Sequence, residues 1–100
     1  MRILTLAISV ALALCGGGAA FAQNVENGRR VSERWCSECH AIDPGKSSRT
    51  IPFAAIAAKP GITSDMISSF LLMPHSTMPN LPLTRKDARD IAAFIMEMKK

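Results

Sequence analysis

The chain has 100 residues, 48% of them hydrophobic and 20% charged, with three cysteines, six methionines, one tryptophan and no tyrosine. That length holds one domain, and the basic residues are dispersed without interleaved aromatics, which leaves nucleic-acid binding with little support. The formal net charge of +4 fits a soluble surface of mixed charge, or a mildly basic face that steers docking onto an acidic partner.

Residues 1–22 read as a secretory signal peptide. Arg2 supplies the positive start, Ile3 to Leu14 form an apolar run, and Ala20-Phe21-Ala22 offer a small-x-small cleavage site before Gln23. The run falls short of the roughly 20 apolar residues of a membrane span; an uncleaved anchor is the alternative. Cys15 raises a lipoprotein signal, but Leu14 before it is not small. Cleavage leaves residues 23–100 as one exported, periplasmic domain. So short a domain struggles to bury enough surface to hold itself together. A disulfide between its two cysteines, three positions apart, closes a tiny loop and constrains little. A large, flat, apolar cofactor bonded to them would supply the missing core.

A first helix is expected from Val25 to Cys39. Asn24 is a good N-cap and Glu26 suits the first turn. Gly28, Val31 and Trp35 share one face. Glycine in mid-helix costs roughly 1 kcal/mol against alanine, and close approach of another backbone or ring would explain it. Trp35 is expected to pack beside the cofactor.

The helix runs into Cys36-Ser37-Glu38-Cys39-His40, a C-x-x-C-H run that matches c-type haem attachment. Two thiols three positions apart lie on adjacent faces of one turn and can each add to a vinyl group as a thioether. The adjoining imidazole then offers a proximal iron ligand. C-x-x-C alone also marks dithiol redox pairs and half of a zinc site. Against those stand the lack of any cysteine after Cys39, the single later histidine, His75, and the want of a strand pattern.

From Ala41 to Ile51 the apolar periodicity breaks and Asp43-Pro44-Gly45 marks a loop. Pro44 is either an ordinary turn proline or the source of a carbonyl that accepts the second ring hydrogen of His40. Pro52 suits the first position of a short helix through Ala58, which Lys59-Pro60-Gly61 ends. Thr63 or Ser64 caps a third helix with Ile67, Phe70 and Leu71 on one face, stopped by Pro74.

Three prolines stiffen the loop from Pro74 to Pro82. Met78 in that loop lies outside any helical stripe and is the candidate sixth ligand of a haem iron, a soft thioether. His75 and Met73 compete with it; Met66, Met96 and Met98 read as core. An apolar hollow for the ring is expected between Cys36, Cys39, His40 and Met78. The last helix, Thr84 to Met98, opens on Thr84-x-x-Asp87, which resembles a capping box. It presents Ile91, Phe94, Ile95 and Met98 on one face, with Lys99 and Lys100 at its negative end. The Phe94 ring is the best candidate to face Gly28. No internal repeat is present.

Taken together, Gly28 eight residues before Cys36, the Cys36–His40 run, Pro44, Met78-Pro79 in a loop, and Asp90-Ile91-Ala92-Ala93-Phe94-Ile95 resemble the class I c-type cytochromes of the small bacterial branch. The similarity covers nearly all of residues 24–100. It implies an all-α fold of about four short helices around one covalently bound haem c, with the N- and C-terminal helices crossing where Gly28 meets the Phe94 ring. It also implies His40 and Met78 as axial ligands to iron and Pro44 as carbonyl partner of His40. The ring at Phe94 is tyrosine in many relatives, so a hydroxyl is lost. The short stretch from His40 to Met78 leaves little cover over the haem edge.

The function expected is one-electron transfer between donor and acceptor redox proteins by a monomer, not an enzyme, since a His/Met pair leaves the iron no open position. Alternatives are a cytochrome subunit bound to a dehydrogenase or oxidase, a haem enzyme or gas sensor with an open distal site, and a haem-free zinc or thiol module.

Overall fold

The computed structural model describes residues 23–73 and 77–100. The signal peptide with Cys15, and Pro74 and His75 of the proline-rich loop, lie outside the described residues. Four helices follow one another: α1 Val25–Trp35, α2 Phe53–Ala57, α3 Ser64–Leu72 and α4 Arg85–Met96. The described residues form no strand, and none of their helices is long and apolar enough to cross a membrane.

Each helix begins where a side chain or a proline can start it. Asn24 accepts from the Asn27 amide, and Thr63 from that of Met66, each satisfying a donor the first turn leaves open. Thr84 and Asp87 complete a reciprocal capping box at α4. Pro52 stands one position earlier than expected, as the N-cap of α2 with extended backbone. Helix α1 ends at Trp35, four residues short of the expected Cys39, where the Ser32 carbonyl takes the amides of both Cys36 and Ser37 and breaks the i→i+4 ladder.

Helix α4 is the hub, packed against α1, α3 and α2. Its Ala88 and the whole run Asp90–Ile95 are buried, and Ile91, Ala92, Phe94 and Ile95 join Cys36, Ile42, Phe53, Ala57 and Ile67 in one core cluster. Met96 and Met98 pack against this cluster, as the sequence suggests.

Helices α1 and α4 meet backbone to backbone. A Cβ at Gly28 would lie 2.0 Å from the Asp90 carbonyl oxygen and 2.9 Å from Phe94 Cβ. Gly28 is therefore required by close approach, but of the α4 backbone rather than the Phe94 ring. That ring sits edge-on to Phe53, centroids 6.2 Å apart, and under the Arg29 guanidinium at 5.0 Å. Arg29 also pairs with Asp43 at 2.6 Å, tying the loop after His40 to α1.

The buried line of α1 runs through Gly28, Ser32 and Cys36, and Trp35 is 40% exposed, with Arg34 stacked on it at 5.1 Å. The i, i+4, i+8 spacing of small residues faces α4, which turns Trp35 outward. Two packing expectations are corrected, those for Phe70 and Met66 on α3. Ile67 is buried and Leu71 half-buried while Phe70 is exposed. Met66, read as core, is 55% exposed; it shares with Phe70 the side of α3 away from α4.

Candidate functional site

The five residues from Cys36 to His40 form a turn wound on one carbonyl. The Cys39 amide lies 3.2 Å and the His40 amide 2.9 Å from the Cys36 oxygen. Ser37 Oγ, 2.6 Å from the Glu33 carbonyl, fastens the turn to the end of α1. Both cysteines are free thiols, Cys36 buried and Cys39 exposed. Burial pushes the Cys36 thiol up to about 11. The Ser32 hydroxyl lies close enough to oppose that slightly, but not in hydrogen-bonding geometry, so Ser32 Oγ is buried without a partner among the described residues. A thiol held protonated is the reverse of a dithiol redox site, where electropositive surroundings lower the pKa. A closed zinc site needs four converging donors, and the described residues bring together no group of even three His, Cys, Asp or Glu.

The imidazole of His40 is half-buried and held from two sides. Its ring packs on Phe53, centroids 5.5 Å apart and planes 43° apart. Its Nδ1 lies 2.6 Å from the Ile51 carbonyl oxygen, so Nδ1 carries the hydrogen and Nε2 presents a lone pair. This corrects the expectation for Pro44: its neighbour Gly45 turns with φ +78°, Pro44 is exposed, and the chain returns to His40 only at Ile51. A carbonyl acceptor on the second ring nitrogen fixes tautomer and orientation and makes the other nitrogen a better ligand.

Met78 is half-buried in the loop before α4, whereas Met73 is 57% exposed at the end of α3. His75 is outside the described residues. Clefts of about 540 and 320 Å³ are lined by Val25, Met96, Glu97, Arg29 and Phe94 among others, at the junction of α1 and α4. Neither involves Cys36, Cys39, His40 or Met78.

Apolar surface lies instead on the outside of the domain. Trp35, Ile51, Met66, Phe70, Leu72 and Met73 are all large and exposed. Trp35 adjoins Cys36, and Ile51 is the residue whose carbonyl holds His40. Met66 and Phe70 lie one turn apart on α3, and Met73 follows at its C-cap. Two thiols and an imidazole nitrogen on one turn, with exposed apolar Trp35 and Ile51 adjoining them, suit a large apolar ring that bonds through sulfur and offers a metal to nitrogen. The residues present thus fit a haem bound through cysteine.

No family model matches the chain, and no solved structure matches it. The chain is 35% identical to cytochrome c-552 of Bradyrhizobium diazoefficiens over 102 aligned residues, covering 99% of this chain and 95% of that protein. With the all-helical fold and the Cys36–His40 turn, this similarity places the chain in the family of small c-type cytochromes, electron carriers whose cofactor is a covalently bound haem c.

Proposed function

We propose that the chain is a periplasmic one-electron carrier whose haem is attached through Cys36 and Cys39 and ligated by His40 and Met78. The observation that carries this reading is the His40 imidazole, oriented by the Ile51 carbonyl on the same turn as the two thiols. The bound haem supplies a single electron at constant coordination. Cys36 and Cys39 anchor it, and His40 donates Nε2 with its tautomer set from behind. Met78 would bring a neutral thioether that favours the reduced state, and an iron held by both His40 and Met78 would have no place for a substrate. Phe53 and the apolar surface near the motif keep water away. Residues 1–22 carry the chain across the inner membrane and are cleaved after Ala22.

The test starts with a pyridine haemochrome assay on protein matured in the periplasm, followed by ferric absorption spectra. One haem per chain with reduced-haem bands typical of two thioethers, and a far-red sulfur-to-iron charge-transfer band, is the expected result. Colourless, folded protein overturns the whole reading; haem without that band, with fast carbon monoxide binding to the ferrous form, overturns the Met78 assignment.

A further inference from the structure

We propose that Ser48 is a positioning residue for the His40 imidazole and thereby tunes the iron potential, an inference that rests on His40 being the axial ligand. The loop from Ala41 to Phe53 must bring the Ile51 carbonyl back to His40 Nδ1, and it does so by pinning the residues on either side of His40. The Cys39 carbonyl takes the amides of Arg49 and Thr50, each at 3.1 Å, and the Ala41 carbonyl takes the Phe53 amide at 3.0 Å. The remaining pin is a side chain. Ser48 Oγ accepts the Ala41 amide at 2.8 Å and stands 2.6 Å from the Thr50 carbonyl and 3.4 Å from that of Cys39.

A hydroxyl has one hydrogen to give. The Cys39 oxygen already receives two amides, so the Ser48 hydrogen goes to Thr50, the nearer acceptor. Ser48 therefore couples the amide following His40 to the carbonyl immediately before Ile51. Ala41 is buried, so without Ser48 its amide loses its partner where water is scarce. Residues 48–51 then relax outward, taking the Ile51 carbonyl from Nδ1. A weaker bond there makes the imidazole a poorer donor, and the ferric state, which needs that donation more, loses ground. Of the bonds that close this loop on Cys39, His40 and Ala41, the one from Ser48 alone can be removed by substitution without changing the backbone.

The test uses the matured holoprotein. Ser48→Ala should shift the ferric/ferrous equilibrium three- to tenfold toward ferrous; tenfold corresponds to about 59 mV for one electron. It should also weaken the iron–imidazole stretching signature in resonance Raman spectra. Ser48→Thr, which keeps the hydroxyl, should restore both, and Ser47→Ala should leave both unchanged. A Ser48→Ala protein that melts lower but keeps the wild-type potential and stretching frequency overturns the proposal, because a purely structural serine would do just that. If the alanine variant fails to mature, hydrogen exchange in the wild-type ferrous protein decides. The Ala41 amide and the His40 Nδ1 hydrogen should be protected together, and a fast Ala41 amide beside a slow ring hydrogen overturns the proposal. A wild-type iron without histidine ligation is a separate outcome: it removes the ligand assignment and the Ser48 role falls with it. A sound ligand set with an inert Ser48 removes the latter alone.

Discussion

The α carbon of Gly28 lies against the carbonyl of Asp90 so closely that an added methyl carbon would sit 2.0 Å from the oxygen. Helical alanine normally outperforms glycine by roughly 0.5–1 kcal/mol, but here the neighbour is backbone and cannot rotate away. Gly28→Ala should destabilise the holoprotein by about 3 kcal/mol or more, beyond the usual range of overpacking, as read from urea midpoints. A variant as stable as wild type would mean that the helices do not meet at this point.

Asp90 sets a second condition on the same contact. It is buried, accepts the Asn24 amide at 2.9 Å and the Asn27 side-chain amide at 2.7 Å, and pairs with Lys86. Burial pushes its carboxyl up, but the bonds from Asn24, Lys86 and Asn27 outweigh it and hold it below the ordinary value. A depressed folded pKa contributes stability that is complete above the unfolded value of about 3.9 and is lost as pH falls through the folded one. Asp43, held down first by its bond to Arg29, acts with the same sign. Asp90→Asn should therefore flatten the acid limb of the stability curve. Asp90→Ala, which leaves the Asn24 amide without its acceptor and Asn27 with only the longer bond to Asp87 at 3.3 Å, should cost about 2 kcal/mol at neutral pH.

Phe53 supports the imidazole on one side and Phe94 on the other. Phe53→Ala should cost about 3–5 kcal/mol. Phe53→Leu should keep the fold while loosening His40, visible as broader ring resonances of His40 in the ferrous protein. Unchanged resonances in the leucine variant would show that the Ile51 carbonyl suffices by itself.

Met78→Ala should abolish the far-red ferric band, open the sixth position to carbon monoxide, and lower the midpoint potential, since a thioether ligand favours the ferrous iron. Retention of the band would transfer the role to another sulfur, with Met73 the next to substitute.

Helix α4 is legible in the sequence because its signals are local. The Thr84–Asp87 cap and the spacing of Ile91, Phe94 and Ile95 each state where it starts and which face is buried. The Cys36–His40 run is legible for the same reason. What the sequence conceals is set by tertiary packing. Ser32 and Cys36 are too small or polar to look like an apolar stripe, so the face read through Gly28 and Val31 is extended to the exposed Trp35 instead. Asp90 reads as a surface charge until Asn24 and Asn27, more than 60 positions earlier, are brought to it. The partner of His40 depends on the path of an eleven-residue return, and the sole local cue, Pro44, lies at its outer bend rather than at its end.

The partnership of α1 with α4 also governs the order of assembly. Among the described helices the first finds its mate in the last, so loop closure of nearly the full domain precedes its burial. Until α4 arrives, the Cys36 thiol, buried in the finished domain, lacks part of its cover. Truncation before Asp90 would leave α1 without its mate and Cys36 exposed.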